Sequence, residues 1–206
     1  MQAVIILNPA ADHGRARKLT KQLLTWGSRY ADLDLWLTER RGHERTLAER
    51  AVEAGYELII AAGGDGTVHH VVNGLVHGGK PRATLGIIPI GSGNDFAYGL
   101  NLLAKPEIAL QTIFTGERRL VDLARLEDDR GLYKIVTNSI GIGFDATVTI
   151  ESQNITRVHG FAMYTLAALR TIALYFQTPR LQINFDDELI IQQALLLAIG
   201  LGPRAG

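Results

Sequence analysis

Short uncharged apolar runs alternate with segments of helical periodicity along the first ninety residues of the chain. The runs Val4–Leu7, Leu58–Ala62 and Leu85–Ile88 carry no charged side chain, which is typical of strands that are buried on both faces of a sheet. Leucine alternates with other residues in Leu33–Leu37, which predicts one more strand, the second along the chain. Strands and helices that alternate with short connections favour a parallel sheet covered by helices on both faces.

Three segments between these strands have apolar residues at helical spacing, which predicts amphipathic helices. Gly55 follows the second of them and is expected to end it. The residues that carry the pattern are Ala16, Leu19, Leu23 and Trp26, then Leu47, Ala51 and Ala54, then Val68, Val71, Val72, Leu75 and Val76.

Composition excludes several classes of function. The 21 basic residues balance the 21 acidic residues, which argues against binding to nucleic acid through bulk charge. The chain contains no cysteine, so thiol catalysis, disulfides and cysteine-ligated zinc are excluded. No basic segment precedes the short apolar run at the N-terminus. We therefore predict that there is no secretory signal and that the protein is cytoplasmic.

Near residue 120 the alternation of uncharged strands and helices ends, and pairs of strands joined by turn-rich segments begin. We predict an α/β domain at residues 1–120 and an incomplete, mostly β second domain at residues 121–206. The predicted elements of the second domain are strands at Val121–Leu126 and Tyr133–Ser139, a long helix at Val158–Phe176, and strands at Leu181–Asp186 and Leu189–Ile199.

A glycine loop, Gly63-Gly64-Asp65-Gly66-Thr67, separates the third strand from the third helix. Such a loop can bind an anion, because glycine lets the backbone approach a phosphate and the free amides of the helix start face it. Asp65 then needs a partner, which is either a Mg²⁺ ion, a sugar hydroxyl or a neighbouring loop. Thr67 is predicted to cap the helix. The alternative is a purely structural turn in which Asp65 is a cap.

A second glycine loop, Pro89–Phe96, follows the fourth strand. Ser92 offers a hydroxyl to a phosphate, and Asn94 or Asp95 is predicted to cap the next helix. Asp95 could alternatively bind the hydroxyl group of an acceptor. The carboxyl ends of parallel strands share one edge of the sheet, so both loops and Asn8-Pro9 are expected to meet there. Two such loops on one edge favour a nucleotide site.

These motifs together closely resemble the diacylglycerol kinase catalytic family, which includes bacterial lipid kinases, ceramide kinases and sphingosine kinases. The matching stretches are GGDGT with VVNGL, LGIIPIGSGNDFA, VDLARL and NSIGIGFDATV. They occur in the order and at the spacing of the family, from Asn8-Pro9 to about Leu197. GGDGT is shared with NAD kinases, whereas GSGNDFA and GIGFDA are not, so NAD kinase is the less favoured alternative.

The resemblance implies an ATP-binding α/β domain, a following β-sandwich domain and transfer of the γ-phosphate of ATP to a lipid hydroxyl with Mg²⁺. Asp65 is implied as the catalytic residue and as a Mg²⁺ ligand, and Asn94 and Asp95 are implied to line the cleft for the lipid. The expected partners are ATP, the lipid and, transiently, a membrane surface; the oligomeric state stays open, a homodimer included. The residues implied to contact ATP are Asn8, Pro9, Thr38, Gly63, Gly64, Asp65, Gly66, Thr67, Val68 and Ser92.

The chain departs from the family at two places in the nucleotide half. No serine-glycine pair follows Asn8-Pro9, so we expect this loop to hold phosphate less well. His70 stands where the family usually has glutamate. If Thr67 is the cap, this change removes a capping box at a cost of roughly 0.5–1 kcal/mol. His69 and His70 are adjacent, so they cannot act as metal ligands four residues apart on one helix face.

The third departure lies at the end of the sequence, where the glycine-rich residues 199–206 depart from the family pattern. Family members continue further and supply an acidic general base, and no residue here matches that base. We therefore expect a truncated or frameshifted end and an unfinished second domain. The function stays open between a lipid kinase and a non-catalytic nucleotide-binding remnant of one.

Overall fold

The computed structural model of the chain describes residues 2–77, 83–154, 169–172, 174 and 177–203. The chain divides into two compact units, Met1–Asn138 with Leu201–Gly206, and Ser139–Gly200. The helix predicted at Val158–Phe176 falls largely outside the described residues. The predicted domain boundary at residue 120 stays a prediction.

A parallel sheet of four strands forms the centre of the first unit and confirms the predicted fold class. The two central strands, β1 and β3, are wholly buried, as their uncharged sequences predict, whereas the edge strand β2 is partly exposed. The order of strands is β2-β1-β3-β4, so the chain changes its winding direction between β1 and β3, where ligands bind in sheets of this type. The strands are β1 (Ala3–Leu7), β2 (Leu33–Leu37), β3 (Leu58–Gly63) and β4 (Thr84–Pro89).

Helices cover both faces of this sheet, as predicted. One face packs against α2, α3 and α4, and the other packs against α1 and α5. Alternate residues of each strand point to opposite faces, so Ile6 of β1 joins the first core and Ile5 joins the second. The helices are α1 (Thr20–Gly27), α2 (His43–Glu53), α3 (Asp65–Leu75), α4 (Asp95–Gly99) and α5 (Pro106–Thr115).

The segment before α1 differs from its prediction, because the helical pattern of Ala16 and Leu19 is not one continuous α-helix. Residues Asp12–Leu19 form a kinked 3-10 segment. Asp12 and His13 have φ angles of 48° and 55°, and Gly14 has 85°. Left-handed backbone cannot continue a right-handed helix, so the regular helix starts only at Thr20.

The start of α3 also differs from its prediction. The helix begins at Asp65 with Gly64 as its N-cap residue, so Thr67 is the third helical residue and does not cap it. His70 therefore lies in the second turn, outside the position that a capping box requires. The expected loss of capping energy at His70 was wrong for this reason.

Small antiparallel sheets follow the α/β part and confirm its β-rich continuation. In the first unit, β5 (Ala124–Glu127) pairs with β6 (Tyr133–Val136). In the second unit, the predicted strand Leu189–Ile199 is two strands, β9 and β10, because β9 pairs with β8 whereas β10 pairs with β7. An unpredicted helix, α6, follows β7. The elements of the second unit are β7 (Ser139–Gly143), α6 (Phe144–Asn154), β8 (Arg180–Phe185), β9 (Glu188–Gln193) and β10 (Leu196–Gly200).

Among the residues that the structure describes, no helix has both the length and the apolar character needed to cross a membrane.

Candidate functional site

The two glycine loops contact each other through their backbones at the carboxyl edge of the sheet. The Asp65 N–H donates to the carbonyl oxygen of Gly93 at 3.1 Å, and the Ile90 N–H donates to that of Gly63 at 3.1 Å. A Cβ on Gly64 would lie 2.7 Å from the Gly93 carbonyl oxygen, closer than real Cβ atoms come to backbone. Position 64 needs glycine because the two loops approach each other closely there. The loops therefore meet at this edge of the sheet, as predicted.

The Asp65 carboxylate joins the loops through both of its oxygens. Its Oδ2 accepts the N–H of Asp95 at 3.0 Å, and its Oδ1 accepts the N–H of Phe96 at 3.0 Å. These amides belong to the first turn of α4, where a helix has no internal acceptors and favours negative charge. A Mg²⁺ ion, a sugar hydroxyl and a neighbouring loop were considered as partners of Asp65, and the contact seen in the structure is with the neighbouring loop.

Neither of the two residues predicted to cap α4 does so with its side chain. Asn94 is the N-cap residue by position, but its amide closes its own loop. Its Nδ2 donates to the Gly91 carbonyl at 2.7 Å, and its Oδ1 accepts the Gly91 N–H at 3.1 Å. Asp95 is the first helical residue. The cap is supplied by Asp65 instead, a partner thirty residues away that sequence reasoning did not connect with this helix.

A cavity of about 660 Å³ opens beside these loops. It brings together most of the residues implied to contact ATP. Gly63 and Val68 do not line it: Gly63 ends β3 and the side chain of Val68 is buried in the core. Asn94 and Asp95 are also absent from its lining. The residues of the predicted set that line the cavity are Asn8, Pro9, Thr38, Gly64, Asp65, Gly66, Thr67 and Ser92.

The loop after β1 forms another wall of the cavity with residues 10–13. Asn8 shapes the start of this loop, because its Oδ1 accepts the N–H of Ala10 at 3.0 Å. Asp12 and His13 then adopt left-handed backbone, a conformation that these two residue types tolerate better than most. The loop after β1, which has no serine-glycine pair, therefore still faces the cavity.

Glu44 is a cavity residue that sequence reasoning missed. Its side chain belongs to the first turn of α2 and only 3% of the residue is exposed. Its Oε1 accepts a hydrogen bond from Asn8 Nδ2 at 3.4 Å, whereas its Oε2 is buried without a hydrogen-bond partner among the described residues. A signal was present, since Glu44 precedes Leu47, Ala48 and Ala51 at helical spacing and so occupies the apolar face of α2.

Asn8 connects this glutamate to α3. The same Nδ2 that donates to Glu44 also donates to Thr67 Oγ1 at 3.3 Å. Both hydrogens of the amide group are then used. Thr67 itself is 3% exposed. The amide of Asn8 therefore holds a carboxylate from α2 and a hydroxyl from α3 at one place in the cavity.

His70 does not lie at the third position of α3, where a capping glutamate was expected. Burial lowers the pKa of His70 below its ordinary value, and the nearby carboxylate of Glu44 partly opposes this by raising it, while Arg41 lowers it. Burial and the neighbouring His70 lower the pKa of His69. His70 lines the cavity, so a neutral imidazole faces the space there near neutral pH.

The remaining walls offer several groups that can hold an anion. The side chains of Arg40 and Arg41 line the cavity from the segment between β2 and α2. The amides of Gly66 and Thr67 lie in the first turn of α3, where a helix has no internal acceptors. No loop or turn carbonyl among the described residues accepts them. Together with the helix dipole, these donors suit a ligand with several negative charges.

Within the described parts of the chain, no three histidine, aspartate or glutamate side chains come together in an arrangement that could hold a metal ion alone.

The chain is similar to known proteins in sequence and in structure. The model of the diacylglycerol kinase catalytic domain matches residues 2–126. A probable lipid kinase YegS-like protein of Chromohalobacter salexigens is 38% identical over 161 residues, which cover 78% of this chain and 50% of that protein. A diacylglycerol kinase of Staphylococcus saprophyticus is 30% identical over 203 residues, which cover 97% of this chain and 64% of that protein.

A crystal structure of a diacylglycerol kinase from Bacillus anthracis superposes with a TM-score of 0.73 at 27% identity, and the match covers 98% of this chain and 65% of that one. The chain therefore spans between half and two thirds of the length of these relatives.

Proposed function

Because the chain belongs to the diacylglycerol kinase catalytic domain family, we propose that it binds ATP and acts in the transfer of the γ-phosphate to the hydroxyl group of diacylglycerol or a related lipid. The observation that carries this proposal is the contact between the two glycine loops beside the start of α3. The N–H groups of Gly66 and Thr67, which no loop or turn carbonyl of the described residues accepts, lie there at the edge of the cavity. A cavity at the point where the sheet changes its winding direction is the expected place for a nucleotide.

The phosphates of ATP would lie against the start of α3. Gly66 and Thr67 would donate backbone N–H groups, and Ser92 would add its hydroxyl group. Arg40 and Arg41 would contribute positive charge. The other proposed contacts are made by Asn8, Pro9, Thr38, Gly64 and Asp65, while Gly63 and Val68 would act through the backbone and core that hold the loop.

Asp65 has a positioning role in this proposal. Its two hydrogen bonds hold the loop of Ser92 beside the start of α3, so both phosphate-binding segments keep one relative position. Asn94 and Asp95 lie in the same loop, and we place the lipid acceptor on their side of the site. Mg²⁺, when bound, would neutralise phosphate charge and orient the γ-phosphate. We assign the proton acceptor for the lipid hydroxyl to no residue of this chain.

Two measurements on the full chain test the proposal. Calorimetric titration with ATP measures binding, and incubation with radiolabelled ATP and diacylglycerol in mixed micelles measures formation of phosphatidate. Ser92→Ala should weaken ATP binding. Ser28→Ala, which removes an exposed hydroxyl at the end of α1, is the matched control and should leave binding unchanged.

The outcomes separate the candidate functions. ATP binding with phosphatidate formation supports the lipid kinase. ATP binding without turnover on any lipid would favour a non-catalytic nucleotide-binding protein, and formation of NADP from NAD would favour an NAD kinase. If the chain binds no ATP at all, the proposal is wrong.

A further inference from the structure

The carboxylates that line the cavity differ in whether their oxygens have partners. Asp65 uses both oxygens to accept backbone N–H groups. Asp12 lies within 3.6 Å of Arg15, and Glu39 is exposed to solvent. Glu44 is the exception. Only 3% of the residue is exposed, and its Oε2 accepts no hydrogen bond from the described residues. An ionised oxygen that is buried without a donor is costly, so a bound partner would relieve that cost.

The surroundings of Glu44 indicate that this partner is a cation. Asn8 already uses both amide hydrogens, on Glu44 Oε1 and on Thr67 Oγ1. His70 lines the same cavity but donates no hydrogen bond to Glu44 Oε2. Neither Arg40 nor Arg41 forms an ion pair with Glu44 in the part of the chain that the structure describes. A phosphate group placed directly on this carboxylate would be repelled.

Mg²⁺ suits this place better than other partners. It prefers hard oxygen ligands and is commonly bound by one or two carboxylates together with the phosphates of a nucleotide. The hydroxyl of Thr67 lies near Glu44 through their shared partner Asn8, and Thr67 belongs to the helix start that faces the proposed phosphates. Glu44 offers such an ion one carboxylate oxygen, Oε2, that has no hydrogen-bond partner among the described residues.

We propose that Glu44 is the residue through which this chain binds the Mg²⁺ ion that accompanies ATP, by its Oε2 atom, and that Asp65 acts as a link between loops. The inference rests on the proposed ATP site. It assigns the metal to a residue of α2, whereas both oxygens of Asp65 accept backbone N–H groups of Asp95 and Phe96.

Glu44→Gln tests the assignment, because glutamine keeps the shape and the oxygen that accepts from Asn8 but removes the charge. The full chain is titrated with ATP in EDTA and again in excess Mg²⁺. For the wild type, we expect Mg²⁺ to increase ATP affinity by about tenfold or more. In Glu44→Gln, affinity for metal-free ATP should rise by about two- to fivefold because a repulsive charge is gone, and the gain from Mg²⁺ should fall below about threefold.

A matched control and a second readout keep the result specific. Glu49→Gln removes a carboxylate from the same helix, where it pairs with Arg45 on the surface, and should change neither titration. Mn²⁺ added with ATP should broaden the side-chain amide signals of Asn8 in the NMR spectrum of the wild type but much less in that of Glu44→Gln. Thermal unfolding of each variant without ligand checks that the fold is retained.

Each outcome bears on the inference. If Glu44→Gln keeps the full gain from Mg²⁺, or if the wild type shows no gain, Glu44 is not the metal ligand although ATP binding stands. If the wild type fails to bind ATP in both buffers, the proposed function fails, and the inference that depends on it fails with it.

Discussion

Asp65 accepts the backbone N–H of Phe96 with its Oδ1 at 3.0 Å, although the two residues are 31 positions apart in sequence. The same carboxylate accepts the N–H of Asp95. A residue in the first turn of α3 therefore caps α4. This cap, together with the backbone contact of Asp65 N–H to Gly93, makes one structure of two glycine loops that each follow a separate strand.

Asp65→Asn should destabilise the protein by about 1.5–3 kcal/mol, because asparagine keeps one acceptor oxygen and turns an NH₂ group toward the second backbone N–H. The loss of negative charge at the start of α4 acts in the same direction. Urea denaturation followed by circular dichroism measures the free energy of unfolding.

Asp128→Asn is the matched control for this change. Asp128 also accepts two backbone N–H groups, from Arg130 and Leu132, but both bonds go to Oδ1. Asparagine retains that oxygen, so the loss should stay below about 0.5 kcal/mol. Equal losses for the two variants would show that the second oxygen of Asp65 contributes nothing.

Gly66→Ala should separate stability from ligand binding. A Cβ at Gly66 meets nothing within 4 Å, and alanine favours a helix, so we expect the free energy of unfolding to rise by about 0.5–1 kcal/mol. The added methyl group stands at the cavity where the proposed phosphates approach the backbone. ATP affinity should therefore fall by about tenfold or more. Thermal unfolding and calorimetry on the same variant measure both effects.

Gly64→Ala provides the contrast. Its Cβ would lie 2.7 Å from the carbonyl oxygen of Gly93 and 3.1 Å from Gly91 Cα, and neither backbone atom can move alone. We expect a loss of about 1–3 kcal/mol. If Gly66→Ala left ATP affinity unchanged, the backbone of Gly66 would not be a phosphate contact.

The strands of the sheet could be predicted from sequence because burial on both faces leaves uncharged runs such as β1 and β3. The start of α3 could not be predicted in the same way. Asp65 and Gly66 are poor helix formers, and the first turn is held by Gly93 from another loop, a contact that local pattern does not contain. The helix therefore starts three residues before the position that Thr67, as a cap, would require.

The site shows the same division between local and long-range information. The glycine loops and Asn8 could be recognised from residue type and from their positions after strands. The role of Asp65 depends on Phe96, and Glu44 matters because its helix turns it toward Asn8. Both facts are distances between segments far apart in the chain. A glutamate on an apolar helix face was visible in the sequence, but its missing partner was not.

Asn73→Asp should weaken the attachment of β6 to α3. The Asn73 side chain donates to the carbonyl of Ile135 at 2.9 Å and accepts the Ile135 N–H at 2.9 Å, and it also donates to the carbonyl of His69. An aspartate would lose both donor bonds and face two carbonyl oxygens with a negative charge. We expect a loss of about 2–3 kcal/mol and faster hydrogen exchange at the Ile135 amide.

Asn101→Asp is the control for that substitution. Asn101 is exposed and has a φ of 56°, a conformation that aspartate also tolerates. The change should cost less than about 0.5 kcal/mol. Unchanged exchange at Ile135 in Asn73→Asp would contradict the idea that this side chain holds β6.

His70 should make the stability of the protein depend on pH below neutrality. Burial lowers the pKa of His70 in the folded state below the ordinary value of 6.5, against the opposing effect of Glu44. The unfolded chain then binds more protons than the folded chain as the pH falls through 6.5, so the free energy of unfolding decreases there and levels off below the pKa of the folded state. His69 acts in the same direction, since burial also lowers its pKa.

The variant His70→Gln should have a smaller decrease than the wild type between about pH 7 and pH 5, with the remainder due to His69 and to carboxylates. Urea denaturation at intervals across this range measures the slope. At about pH 7.5 the two proteins should differ by less than about 0.5 kcal/mol, because the histidine is uncharged in both states there. A variant with the same slope as the wild type would mean that His70 takes up its proton equally well in the folded and unfolded chains, and hence that its burial beside Glu44 has no effect on its charge.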